Sequence, residues 1–119
     1  MNKIKTALAP LKNGARVTFL KKENDLNKIL KNQKRGKKTI NILFVSPWDN
    51  WSIKLLDKLK SEVLDEDSKE IVYVVDSYLM PHSFVIFNST KLPHLVRLEG
   101  ERIYKEDYLP LIYQFFGLG

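Results

Sequence analysis

The chain has 119 residues, 44% of them hydrophobic and 29% charged, enough for one compact domain with a modest core and too few for two. It contains no cysteine, which removes disulfides, thiol nucleophiles, thiolate zinc sites and iron–sulfur clusters together. The net charge of +6 is unevenly spread: Met1 to Lys38 holds 12 Lys/Arg against 2 acids, leaving 8 against 12 from Thr39 onward, so the two parts carry +10 and −4.

Residues 1–14 read as a basic leader, either a mobile arm or one carrying a short helix over Lys3–Ala9 that Pro10 and Asn13-Gly14 close. The apolar stretch Ala7 to Leu11 is cut by Pro10 and too short for a signal-peptide core, and no segment approaches the length of a membrane span. A cytoplasmic protein with no membrane contact is the expectation. From residue 15 onward the pattern is that of a folded domain. Arg16 to Leu20, rich in β-branched and aromatic residues, predicts a strand. Leu26, Ile29 and Leu30 recur at helical spacing over Asp25–Lys34, with Asn24 or Asp25 as N-cap and Gly36 as terminator.

Lys34, Arg35, Lys37 and Lys38 crowd the end of that helix. Cations there complement the negative end of the helix dipole, which accounts for them without a ligand. They could equally meet phosphate or an acidic partner, which makes nucleic acid a second candidate partner.

Ile40 to Val45 and Ile71 to Val75 are nearly unbroken apolar runs of strand length, the signature of central strands covered on both faces. Between them Ile53, Leu56, Leu59 and Val63 step by three and four residues, predicting the buried face of an amphipathic helix. The three segments form a β-α-β unit, whose right-handed crossover brings the helix start to the C-terminal end of the first strand, at Ser46 to Ser52. Tyr78 to Asn88 is read as a helix opened by Met80-Pro81. Leu95–Leu98 and Arg102–Tyr104 flank Glu99-Gly100-Glu101 as an antiparallel hairpin, and Tyr108–Phe116 closes the chain as an apolar helix capped by Asp107 and stopped by Gly117.

The resulting order, β-α-β-α-β-α-β-β-α, resembles the thioredoxin fold over Arg16 to Leu118: a three-layer α/β/α sandwich with a mixed central sheet and a C-terminal hairpin plus helix. Leu43 to Lys54 is similar to that family's strand, tryptophan, Cys-x-x-Cys and helix, with Trp48 at the tryptophan and Asp49 and Ser52 where the cysteines would stand. Lys91-Leu92-Pro93 before a strand is similar to the family's hydrophobic-proline step, so the resemblance implies a cis peptide at Leu92–Pro93 facing the active-site loop. The departures are consistent with one another. Leu43 replaces a buried acid that relays protons, Asp57 replaces a helix-kinking proline, Trp51 stands between the former thiols, and disulfide exchange has no attacking thiolate.

What remains on that face is a binding surface: Trp48, Asp49, Asn50, Trp51, Ser52, Leu92 and Pro93. The resemblance favours packing for Trp48 and leaves Trp51 open between packing and contact; Asp49, Asn50 and Ser52 are also explained as helix caps. In the resembled family the face recognises extended polypeptide, so a protein or peptide partner is implied, with no cofactor and no catalysis. A hydrolase built on Ser52, with His82 or His94 as base and Asp49 or Asp76 as orienter, lacks the Gly-x-Ser-x-Gly turn. His82 and His94 have no metal-ligand spacing, and no phosphate-loop motif surrounds Gly36. A glutathione-dependent transferase would need a second helical domain that the chain is too short to hold.

Overall fold

The computed structural model describes residues 10, 11, 14–63, 69–81 and 91–118. Strand β1 (Arg16–Leu20) leads to helix α1 (Glu23–Gly36), strand β2 (Thr39–Val45) and helix α2 (Asn50–Lys58), which continues as a π-helical turn over Leu59–Val63. Then follow β3 (Ile71–Asp76), β4 (His94–Glu99), β5 (Arg102–Glu106) and helix α3 (Leu109–Phe115). The helix expected over Tyr78 to Asn88 falls mostly outside the described residues, as do the one over Lys3–Ala9 and His82.

The sheet runs β1-β3-β2-β4-β5, with β1 and β2 parallel to β3, β4 antiparallel to β2, and β5 antiparallel to β4. Its alternation divides the core. Leu43 and Val45 of β2 pack with Val72, Leu95, Leu55 of α2 and Phe115 of α3 on one face. Ile40, Ile42 and Phe44 pack with Val75, Val96 and Leu26 of α1 on the other. Helices therefore cover both faces, which is why β2 reads as a continuous apolar run. Asn41 interrupts it: fully buried, its side-chain amide donates to Ile71 O (2.9 Å) and Glu70 Oε2 (3.1 Å), and its oxygen accepts from Arg97 Nη1 (2.9 Å).

Several ends differ from expectation. Helix α1 starts at Glu23, with Lys22 at the N-cap and no side-chain cap, so neither Asn24 nor Asp25 caps it; Glu23 and Asp25 instead lie in the first turn, favourable to the dipole. Gly36 remains helical, and Lys37, at φ 51°, takes the left-handed position that ends the helix. Buried Gln33 secures that end by donating to Lys38 O (2.8 Å) and to Gly100 O (2.7 Å) across in the β4–β5 turn. The buried stripe of α2 is Ser52 and Leu55 with Leu56 half-buried, continued by Leu59 in the turn that follows, while Ile53, expected inside, faces out. Asp107 does not cap α3; Tyr108 holds the cap position and donates its backbone N–H to the Glu106 carboxylate (3.0 Å). Pro110 lies in the first turn and Gly117, at φ 72°, follows the last, as read from the sequence. The N-terminal approach is fastened by Leu11, whose N–H donates to Phe115 O (2.8 Å), and by fully buried Ala15.

Candidate functional site

Because β1, β2 and β3 are parallel and β4 starts where they end, one edge of the sheet gathers the loops after β2, β3 and β5 and the step before β4. The β2–α2 loop is built from short polar side chains. Asp49 is the N-cap of α2: its Oδ2 accepts from Ser52 N (2.9 Å) and from the Ser52 hydroxyl (2.8 Å). Ser52 Oγ in turn accepts from Ser46 N (3.2 Å), and Ser46 Oγ accepts from Trp48 N (3.2 Å). Ser52 is fully buried, with its proton committed to a carboxylate and its oxygen to a backbone amide. Among the described residues no histidine touches it, and its bonds make it a clip within the loop.

The two tryptophans of this segment are exposed where Ser52 is buried. Trp48, which the resemblance assigns to packing, is 77% exposed and meets Tyr78 edge-on with ring centroids 6.4 Å apart, so packing is corrected to display. Trp51 is 53% exposed, with Lys54 Nζ 4.9 Å above its ring. A groove of about 400 Å³ runs between Trp51 and the Leu92–Pro93 step on one side and Tyr108, Leu109 and Pro110 on the other, with Lys91 and Asp107 as its charged groups. The Leu92–Pro93 peptide is cis; Pro93 is buried and Leu92 half-buried. A second, more apolar groove of about 450 Å³ continues from Trp51, Leu109 and Pro110 to Tyr113, Gln114 and Leu118.

The structure thus brings Trp51, Leu92 and Pro93 together, places Asp49 and Ser52 beneath the loop as its frame, and sets Trp48 against Tyr78. Asn50 is exposed at the helix start. Sequence reasoning missed Tyr78 (69% exposed) and Tyr108 (60%). Their signal was topological: each follows a strand whose C-terminal end lies at this edge.

Directly after the cis step, His94 is buried against Phe44, and neither ring nitrogen has a hydrogen-bond partner among the described residues. Burial pushes its pKa below the ordinary histidine value; Asp107 pulls it up and Lys105 pulls it down. No group of three or more metal-ligating side chains occurs among the described residues, and no described helix is long and apolar enough to cross a membrane.

Lys34, Arg35, Lys37 and Lys38 are exposed at the end of α1, where β2 and β3 begin, away from the grooves. Lys37 and Lys38, joined by Lys69, line a cleft of about 670 Å³ there. The two sets of candidate residues therefore form separate surfaces.

No family profile matches the sequence, and no curated protein does. Among solved structures, the chain superimposes on thioredoxin from Schistosoma mansoni with a TM-score of 0.67 at 19% identity, covering 86% of this chain and 94% of that one. Thioredoxin O1 from Arabidopsis thaliana gives 0.65 at 17% identity over 81% and 86% of the two chains. The thioredoxin from Nicotiana alata gives 0.60 at 14% identity over 83% and 86%. At such identities the likeness is one of architecture, and what it shows is a polypeptide with the thioredoxin fold that has no Cys-x-x-Cys pair.

Proposed function

We propose that residues 15–119 form a redox-inactive thioredoxin-fold module that binds an extended protein or peptide segment along the groove between Trp51, Leu92–Pro93 and Tyr108–Pro110. The observation that carries this reading is the concentration of large apolar side chains in water at one edge of the sheet: Trp48, Trp51, Tyr78, Leu79 and Tyr108 are each more than half exposed. A folded surface normally scatters such residues, and clustered aromatics beside concave grooves are the makings of a contact that desolvates on binding. The polar residues of the same loop, Asp49 and Ser52, are occupied by each other, so the edge offers shape and apolar area rather than a reactive group.

The test is selection from a random linear-peptide library on the immobilised chain, followed by titration of the selected peptides. Peptides that bind the wild type and lose affinity tenfold or more with Trp51→Ala and Tyr108→Ala support the groove. Selected peptides indifferent to both substitutions, or none at all, remove it.

A second reading, an accessory nucleic-acid binder, draws on Lys37, Lys38 and Lys69 around the distant cleft with Lys34 and Arg35 beside it. Its affinity for DNA or RNA falls steeply with salt and disappears on charge reversal at Lys34, Arg35, Lys37 and Lys38. Absence of binding at low ionic strength eliminates it.

A further inference from the structure

The outer edge of β5 is an end of the sheet, and its sequence is complementary to itself. The β4–β5 turn has two residues, Gly100 at φ 61° and Glu101, between the facing pair Glu99 and Arg102. In such a hairpin the flanking pair exchanges its hydrogen bonds, so by the alternation of an antiparallel ladder Ile103 and Lys105 turn their N–H and C=O groups away from β4. Among the described residues no strand takes up these groups. Ile103 is a large apolar side chain more than half exposed on this edge, and Arg102 has no described partner.

The geometry points to a two-fold pairing of β5 with β5 of a second copy of this chain, antiparallel and centred on Tyr104. In that register Ile103 faces the other copy's Lys105, and the outward backbone groups of both residues are satisfied in both chains. Arg102 then lies opposite Glu106 twice, once on each side of the axis, and Ile103 is covered by the aliphatic stem of Lys105. A strand with one sign of charge, or with its ends alike, would repel itself in this arrangement; β5 carries opposite charges at positions equidistant from its centre. The symmetry makes the contact closed, giving a dimer and no fibre. It continues the sheet from five strands to ten across the axis.

Sedimentation equilibrium over a concentration series tests this. The wild type shows a reversible monomer–dimer equilibrium. R102E and E106R each place like charges opposite one another twice and weaken the dimer about tenfold or more. An equimolar mixture of R102E with E106R restores it as a heterodimer, and the double variant R102E/E106R restores the homodimer. Lys105→Pro, which deletes an outward N–H while sparing the bonds to β4, abolishes it. Circular dichroism and thermal melting establish that each variant is folded; because Glu106 also accepts from Tyr108 N–H, E106R is read through the mixing experiment. A wild type that stays monomeric to millimolar concentration overturns the proposal, as does a dimer indifferent to R102E and Lys105→Pro, or a failure of the mixture to recover association.

Discussion

The Ser52 hydroxyl donates to Asp49 Oδ2 at 2.8 Å, across the same helix turn where the resembled family places its two thiols. The carboxylate also takes the Ser52 backbone N–H, so one acceptor closes both the cap of α2 and the side chain beneath it. Asp49→Ala removes the cap and leaves a fully buried hydroxyl without its acceptor, a cost of about 2 kcal/mol. Asp49→Asn keeps an oxygen for the cap and costs less than half of that. Urea denaturation of the two variants gives the comparison, and equal losses would show that a neutral acceptor oxygen at this position contributes nothing and that the carboxylate charge carries the effect.

Arg97 offers a second test of a polar side chain used as structure. Its guanidinium lies over the Phe115 ring, pairs with Glu70 (3.2 Å) and Glu99 (2.6 Å), and donates to fully buried Asn41. Burial, which disfavours the charge, is outweighed by the two carboxylates, and its pKa stands above the ordinary arginine value. Since Glu70 and Glu99 are both partly solvated, most of the damage from Arg97→Ala comes from the orphaned Asn41 oxygen and the lost packing on Phe115, about 2–3 kcal/mol. Asn41→Leu in the Arg97→Ala background recovers part of it, measurable as a rise in the thermal midpoint over the single variant.

The fold was legible where the chain's physics is strongly patterned. β1 begins and ends at Arg16 and Leu20 as read, and β2, β3 and the hairpin about Gly100 differ only at their ends, because apolar runs and a positive-φ glycine leave few alternatives. Caps were less legible. Neither Lys22 nor Tyr108 makes a side-chain cap hydrogen bond, and a helix whose first amides meet backbone or a neighbouring carboxylate needs no Ser, Asp or Asn at that place. The helical spacing of Ile53 to Leu56 predicts it in the core, yet the Asp49–Ser52 clip sets the phase of α2 and turns Ser52 inward in its stead. On the candidate site, Trp51, Leu92 and Pro93 could be named from a local motif. Tyr78 and Tyr108 belong to no motif and join the site only because distant strands end at one edge.

Fluorescence separates display from packing for the tryptophans. Trp48 and Trp51 are the only two in the chain, and both are more than half exposed. Their emission in the native state is already that of hydrated indole, acrylamide quenches it readily, and denaturant shifts its maximum little. A ligand in the groove between Trp51 and Pro110 moves the maximum to the blue and protects Trp51 from quenching, an effect that survives Trp48→Phe and is lost with Trp51→Phe. A native spectrum strongly blue of the unfolded one would contradict the exposure of both rings.

Buried His94 makes the stability of the fold depend on pH in the weakly acidic range. Its pKa is lowered from 6.5 in the fold, chiefly by burial, with Asp107 opposing and Lys105 assisting. Between the folded and unfolded values the unfolded chain binds the extra proton, so stability from this group is complete above about 6.5 and declines as pH falls toward the folded value. The ring has no described partner to accept a charge, and its neighbour in the core is Phe44. Denaturation midpoints measured from pH 7.5 down to about pH 5 therefore decline for the wild type, and the slope flattens in His94→Phe, which keeps an aromatic beside Phe44 and removes the titrating nitrogen. Equal slopes in the two proteins would assign the acid sensitivity to carboxylates elsewhere.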